Sequence, residues 1–389
     1  MDSLGKIKSI SVLIPDGGNY DSLKVLYCLS RVPETKVHVL SRSVWPLARF
    51  SRYCSKFEYH TSQNDNAWID VIRDVVHKWD IDVVLPVTPR GIELISRNHD
   101  VLSQIAAIPP VAKIEQIRIA DGKWTFQQFL EQHGLPGVPT LYIGIPGKTV
   151  VNSTALDSFS YPALLKPVSQ MGGYGIIKVE NSDDCDRIWN DKNHTIKGEQ
   201  YILQSFITGV DFSLSVCCHK GDIIAYSLYR VILPCKDHFG TGRLLEYVDD
   251  EKIIEVGRKL LSAMAWDGVA NIDFVVDGRD QSVRILEFNP RFWRTLLGSM
   301  LAGVNFPLVW CLSAVGIDLP CKQYEGARYA SPSQYLEILA SRLVGKGSPV
   351  KVGLKESGLR LSVSDPLAEL VNVSRGILGR LHRHNGDNN

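Results

Sequence analysis

The sequence predicts an α/β domain followed by an α+β region, and three observations support this. An apolar strand, a turn, a helix-like run and a second strand open the chain in doubly wound order. From residue 161 onward apolar strands succeed one another with short turns between them, as in a meandering sheet. The 389 residues are 44% hydrophobic and 22% charged, the composition of a soluble globular chain long enough for two or three domains.

Ile7 to Ile14 forms the first strand and runs into Pro15-Asp16-Gly17-Gly18. A helix-like run covers Ser22 to Leu29, and a strand follows over Lys36 to Leu40. Gly17-Gly18 could hold a phosphate there, but the pair falls short of the G-x-G-x-x-G fingerprint. Ile69 to Lys78 reads as a helix and Ile81 to Val87 as a buried parallel strand, with Pro109-Pro110 closing the unit. Lys123 then opens a helix through Phe126, Phe129 and Leu130, which stops at Gly134.

Tyr161 to Pro167 is a strand whose Lys166 ends an apolar run. It leads into Gln170-Met171-Gly172-Gly173-Tyr174-Gly175 and a second strand, Ile176 to Val179. A glycine loop between antiparallel strands can fold over a triphosphate and offer backbone N–H donors, and the apolar-flanked lysine favours phosphate over a loose turn. Tyr201 to Ile207, Phe212 to Cys218 and Ile223 to Leu233 continue the sheet. A nucleotide base could sit on the first of these, read by backbone groups of Ser205, Phe206 and Ile207. Pro234 to Glu246 is a long polar loop with His238 and Arg243, either a second-substrate contact or merely solvated.

After a helix from Glu251 to Ala265, Asn271 to Val276 and Val283 to Asn289 read as a hairpin turning at Asp277-Gly278. Glu287 and Asn289 are two residues apart and point the same way. With Asp273 they form a small set of hard oxygen ligands that a substrate phosphate would complete, the kind Mg²⁺ takes. Arg291 follows, placed to hold a phosphate oxygen by a bidentate contact.

Bulk properties exclude several classes. A net charge of +1 gives no support for nucleic acid as partner. Eight scattered cysteines without a C-x-x-C pair, and ten histidines without H-x-x-x-H spacing on a helix, argue against zinc and against a disulfide framework. The first residues lack the apolar core of a signal peptide, and Thr295 to Ile317 is broken by Gly303, Asn305 and Pro307 into two short buried helices. A cytoplasmic protein without stable membrane insertion is expected. Near the end, Ser364-Asp365-Pro366 starts a helix with Leu367, Leu370, Val371, Ile377, Leu378 and Leu381 on one face. Arg375, Arg380 and Arg383 make its end basic, and docking on the body or on a second subunit, as in a homodimer, is expected.

These motifs, in this order over about residues 5 to 320, resemble the ATP-grasp superfamily, in the branch of the carbamoyl phosphate synthetase large subunit and biotin carboxylase. Asn289-Pro290-Arg291-Phe292-Trp293 is similar to stand-alone ligases of cell-surface or natural-product pathways. The resemblance implies an ATP-grasp fold: a Rossmann-like pre-ATP-grasp domain (1–110) and a helical linker (111–160). A small lid subdomain with the Gly loop (161–210), a large subdomain with the metal site (211–325) and C-terminal helices (326–389) would follow.

It also implies roles. Lys123 and Lys166 would contact ATP phosphates, with Gln170, Gly172, Gly173 and Gly175 in the lid above them. Gln204 and the backbone of Ser205, Phe206 and Ile207 would bind adenine, and Asp211 the ribose. Asp273, Glu287 and Asn289 would hold one or two Mg²⁺ (or Mn²⁺) ions, and Arg291, with Arg230, would stabilise the transferred phosphoryl group. Three positions depart from the pattern. Gln204 stands where glutamate is commoner, Asp273 where glutamine or glutamate is, and Arg294 where glycine often follows, hinting at an anionic substrate. The activity implied is ADP-forming ligation of a small carboxylate and an amine through an acyl phosphate. Transfer to a thiol or hydroxyl, and a silent nucleotide sensor, are the alternatives.

Overall fold

Val12, Leu13 and Ile14 are completely buried in the first strand, β1 (Ser11–Ile14), and the N-terminal sheet grows from it. The computed structural model describes residues 9–146, 148–149, 153–170, 172–191, 195–196, 198–235, 242–317, 326–343 and 350–374. After β1 come α1 (Tyr20–Leu29), β2 (Lys36–Ser41), β3 (Cys54–Tyr59), α2 (Asp65–Trp79), β4 (Val83–Val84), α3 (Pro89–Arg97) and α4 (His99–Leu102). The strands pair in parallel in the order β3-β2-β1-β4. Such a sheet is covered on both faces, which is why β1 reads as an unbroken apolar run. Asn19, Asn64 and Thr88 cap α1, α2 and α3 by accepting from backbone N–H groups of their first turns. At the β1–α1 turn Gly17 N–H donates to Leu40 O (2.8 Å), and a Cβ there would lie 2.1 Å from Val39 Cγ1. Gly17 is thus required by the close approach of β2.

Two helices, α5 (Ile114–Asp121) and α6 (Lys123–Gln132), lead to a four-stranded antiparallel sheet. Its elements are β5 (Thr140–Gly144), α7 (Ser153–Asp157), β6 (Ala163–Pro167), β7 (Ile177–Val179), α8 (Ser182–Asn190) and β8 (Tyr201–Ser205), with strand order β5-β8-β6-β7. The stretch 111–160, expected to be a helical linker, therefore supplies an edge strand to the lid. The apolar residues Leu141 and Ile143 pack there on Tyr201 and Leu203.

The large sheet contains β9 (Gly209–His219), β10 (Asp222–Leu233), β11 (Leu244–Tyr247), then, past α9 (Glu251–Ala263), β12 (Gly268–Asp277) and β13 (Val283–Asn289). Helices α10 (Leu296–Leu301) and α11 (Phe306–Ala314) follow, and β14 (Arg328–Tyr329) completes the order β13-β12-β9-β10-β11-β14. The sheet thus reaches past the expected boundary at 325, because Tyr329 is buried beside Tyr247 and Gly298. The buried side of α9 (Ile253, Ile254, Gly257, Leu260, Leu261) covers one face. Glycine at 257 allows that contact, since a Cβ would lie 2.4 Å from Leu214 Cδ2.

The uncharged run 295–317 is two short helices, as expected from its breakers. No helix among the described residues is long and apolar enough to cross a membrane. The chain continues through α12 (Pro332–Leu343), α13 (Leu359–Ser364) and helical residues 366–374. The last helix corrects the expected apolar face: Leu367 and Leu370 are exposed, while Ala368 is buried. Glu369 sets this rotation by accepting hydrogen bonds from Tyr27 Oη (3.3 Å) and Ser362 Oγ (3.0 Å). Arg375, Ile377, Leu378, Arg380, Leu381 and Arg383 lie outside the described residues.

Candidate active site

The open face of the large sheet gathers the polar residues. Asp273 on β12 lies opposite Glu287 on β13 and Ser213 on β9, and Asn271 lies opposite Asn289 and Ser215. A strand alternates faces, so Asp211, Ser213, Ser215, Asn271, Asp273, Glu287 and Asn289 all project to one side. Leu286 has no partner across the β12–β13 pair: Phe274 opposes Ile285 and Asp273 opposes Glu287. This bulge keeps Ile285 buried while Glu287 and Asn289 face the site.

Asp273 is held by its neighbours. Ser213 Oγ lies 2.6 Å from Asp273 Oδ1, and Asn271 Nδ2 donates to the same oxygen at 3.1 Å. Ser215 Oγ in turn donates to Asn271 Oδ1 (2.9 Å). Burial, then the charge of Glu287, pushes the Asp273 carboxyl up to about 7, while the Ser213 and Asn271 hydrogen bonds pull it down. Ser213 and Asn271 were not singled out in the sequence. Their signal is a period of two polar residues, Asp211-x-Ser213-x-Ser215 and Asn271-x-Asp273, inside otherwise apolar strands.

Lys166 projects from β6 toward this carboxylate group. Its Nζ donates to Gln204 Oε1 at 2.6 Å. Burial lowers its ammonium to about 8, against the raising fields of Glu287, Asp273 and Asp211; the Lys123 charge lowers it further. Gln204 also donates from Nε2 to Thr140 Oγ1 (3.1 Å), so both ends of its amide are engaged. Gln204, expected at adenine, thus meets Lys166 on one side and Thr140 on the other. The N–H groups of Ser205 and Phe206 are likewise committed, to Pro139 O (3.0 Å) and Pro162 O (2.8 Å). The Ile207 N–H has no partner among the described residues. Lys123 Nζ donates to Val168 O (3.3 Å) and Gln170 O (2.5 Å), fixing the start of the Gly loop. Gly172, Gly173 and Gly175 all have positive φ, the backbone that glycine permits.

Arg291 lies beside Asn289, whose Oδ1 accepts from Arg291 Nη2 (3.1 Å). Asp121, at the end of α5, faces Arg291, Lys123 and Glu287, although sequence reading passed over it. Burial raises its carboxyl, and the fields of Arg291 and Lys123 oppose the shift. Arg230 is not in this cluster. It lies opposite Phe212, one residue out of step with Tyr229, which is level with Ser213 and Asp273. It therefore projects to the other face of the sheet. There its Nε and Nη2 both reach Glu246 Oε2 (3.0 and 2.6 Å), and Arg328 bonds the other oxygen. Arg243 donates to Pro234 O (3.0 Å) and lies 3.7 Å from Glu337 on α12, so its contacts are with its own loop and that helix. His238 lies outside the described residues. Arg294 is exposed, just before α10.

The donor set suits a hard divalent cation. Two carboxylates are crowded together at Asp273 and Glu287, where positive charge would relieve both burial and mutual repulsion. Among the described residues no group of three His, Cys, Asp or Glu side chains forms a metal site, and the amide of Asn289 is the further oxygen donor beside these two carboxylates. Asn289 Nδ2 lies 3.4 Å from Asp273 Oδ2, and binding a cation requires this amide to turn its oxygen inward.

Residues 120–295 match the model of the ATP-grasp domain family. The chain is 24% identical over 293 residues to the carbamoyl phosphate synthase arginine-specific large chain of Halalkalibacterium halodurans, covering 71% of this chain and 26% of the relative. It is 22% identical over 192 residues to the carbamoyl phosphate synthase large chain of Agathobacter rectalis, covering 47% and 17%. The chain thus spans about a quarter or less of these relatives' length. Among solved structures, N5-carboxyaminoimidazole synthetase of Staphylococcus aureus with ADP superposes with a TM-score of 0.66 at 16% identity, covering 87% of each chain. Biotin carboxylase of Campylobacter jejuni gives 0.61 at 16% identity, over 84% of this chain and 75% of that one. L-amino acid ligase of Bacillus licheniformis gives 0.56 at 14%, over 79% and 74%. Residues 120–295 of the chain form an ATP-grasp domain, carried in the fold that biotin carboxylase and N5-carboxyaminoimidazole synthetase share.

Proposed function

We propose that the chain is an ATP-dependent, ADP-forming ligase that joins a small carboxylate to an amine. The observation that carries this reading is the set Asp273, Glu287 and Asn289 on one face of the large sheet, with Arg291 bonded to Asn289 and Lys166 reaching toward the two carboxylates from the four-stranded sheet.

A carboxylate is a poor electrophile, and transfer of the γ-phosphoryl group of ATP to it supplies a leaving group. The amine then attacks the acyl carbon, forms the C–N bond and displaces inorganic phosphate. Asp273, Glu287 and Asn289 would hold Mg²⁺ or Mn²⁺, which when bound neutralises phosphate charge. Lys166 and Lys123 place ammonium charge along the phosphates, and Gln204 keeps Lys166 pointed at them. Arg291 offers a guanidinium where charge accumulates on the transferred group. The glycine loop at 172–175 can close over the phosphates and exclude water that would hydrolyse the acyl phosphate. Asp211, on the same face as Ser213, would take the ribose hydroxyls. None of these roles needs a covalent nucleophile.

The test is ADP release from ATP and Mg²⁺ against pooled carboxylic acids and amino acids, with Glu287→Ala as control. ADP that depends on both acid and amine, and is lost in the variant, is the expected result. Failure of the chain to bind MgADP at all sinks the reading.

A further inference from the structure

The C-terminal segment is fixed to the body on one side. Leu361 of α13 and Ala368 of the last helix enter the main hydrophobic core, and Val371 packs against it. Polar contacts hold the same side: Glu369 accepts from Tyr27 Oη (3.3 Å), and Tyr53 Oη donates to Ser364 Oγ (3.0 Å). The outer side has no cover among the described residues. Leu367, Leu370 and Val373 are 55%, 66% and 57% exposed, and Val363 in α13 is 69% exposed. Residues three apart on a helix are neighbours, so Leu367, Leu370 and Val373 make one apolar stripe turned to solvent. Single apolar residues on a surface are ordinary, whereas a stripe opposite a buried face marks an interaction surface.

The charge beside the stripe is positive. Arg360 is exposed one turn before Val363, and the exposed Arg52 donates from Nη1 to Ser364 O (3.3 Å). The carboxylates of the segment are withdrawn. Asp365 is buried and accepts from the Arg52 N–H (3.0 Å), while Glu369 is bonded inward. The sequence after Ser374 extends both features. Ile377 and Leu381 continue the helical spacing of Leu370, and Arg375, Arg380 and Arg383 follow with no acidic residue between Leu370 and Gly386. An apolar stripe edged by guanidinium groups matches a bilayer surface, where the apolar side chains enter the acyl boundary and the cations meet anionic headgroups. A second copy matches it less well, because pairing two such stripes brings both sets of arginines together. We propose that the stripe Leu367, Leu370 and Val373 docks the chain on membranes that carry anionic lipids, with the helix lying in the interface rather than crossing it. No residue of the Asp273–Glu287 site takes part, so the contact is independent of the ligase chemistry.

The experiment is co-sedimentation of the full chain with vesicles of phosphatidylcholine alone and of phosphatidylcholine mixed with phosphatidylglycerol, at low and high salt. Binding to the anionic vesicles, weakened by salt, is expected. Leu367→Gln with Leu370→Gln, at exposed positions that folding tolerates, should weaken it by about tenfold or more. Arg380→Gln with Arg383→Gln should also weaken it by about tenfold. A melting temperature equal to that of the unaltered chain shows that both variants are folded. Absence of binding to the anionic vesicles, equal binding to the two vesicle types, or full binding by the Leu367 and Leu370 variant overturns the proposal. So does a dimer in size-exclusion chromatography that this variant splits, which assigns the stripe to a second copy instead.

Discussion

Ser213 Oγ and Asp273 Oδ1 are 2.6 Å apart across β9 and β12, and this contact helps to keep Asp273 ionisable. With burial and Glu287 raising the carboxyl to about 7, the hydroxyl is one of two hydrogen bonds opposing the shift. Ser213→Ala should raise Asp273 further, weakening Mg²⁺ activation by about 10- to 100-fold, as loss of a group supporting a metal ligand does. The acid limb of the pH–rate profile should move to higher pH. A Mg²⁺ titration at several pH values checks both, and an unchanged titration would exclude Asp273 from the metal site.

The Lys166–Gln204 pair gives a prediction of opposite sign. The Lys166 ammonium, lowered to about 8 by burial, loses charge as pH rises through that value. Affinity for ATP should therefore be full below pH 8 and decline above it. Replacing the neutral acceptor at 2.6 Å by a carboxylate in Gln204→Glu should shift this decline about one unit upward. The KM for ATP measured between pH 7 and 10 reads the difference.

Arg230 and Arg291 separate a surface ion pair from the guanidinium proposed to meet the transferred group. Arg230→Ala breaks the bond to Glu246, which Arg328 continues to hold, and should lower kcat by less than about threefold because an exposed pair contributes little. Arg291→Ala should lower it by about 10² or more, in line with loss of a preorganised charge at the transition state. Comparable losses in the two variants would show that Arg230 reaches the reacting group.

The hairpin's back side is held by aromatic packing. Phe288 lies between Glu287 and Asn289 and faces inward, its ring 4.7 Å from Trp266 and 5.8 Å from Phe126. Phe288→Ala should cost about 3–5 kcal/mol of stability by urea unfolding. Activity should fall even where the chain stays folded, since the same strand carries both proposed ligands, Glu287 and Asn289.

Asp16 tests the first domain. Its carboxylate accepts from Val87 N–H (3.1 Å) and from the N–H and hydroxyl of Thr88 (both 2.6 Å), tying β1 to the turn before α3. Asp16→Ala strands these buried donors and should cost about 2–4 kcal/mol. An unfolding midpoint within error of the unaltered chain would refute this.

Much of the site was legible in the residues themselves. A strand's period of two put Glu287 and Asn289 on one face, glycines marked a loop needing positive φ, and an apolar run singled out Lys166 at its end. These are local consequences of backbone geometry, available wherever the strand is recognised. The partners of those residues were not legible. Gln204 serves Lys166 because β6 and β8 pair in one register, and Arg230 turns away because it is one residue out of step with Tyr229. Leu286 forms a bulge only because Ile285 must oppose Phe274. Helix α1 meets α10 and α11 only through tertiary packing, as in the Asn305–Cys28 bond between residues 277 positions apart. Local periodicity decided which side chains face the open side of the sheet, whereas register and helix packing decided what each of them meets there.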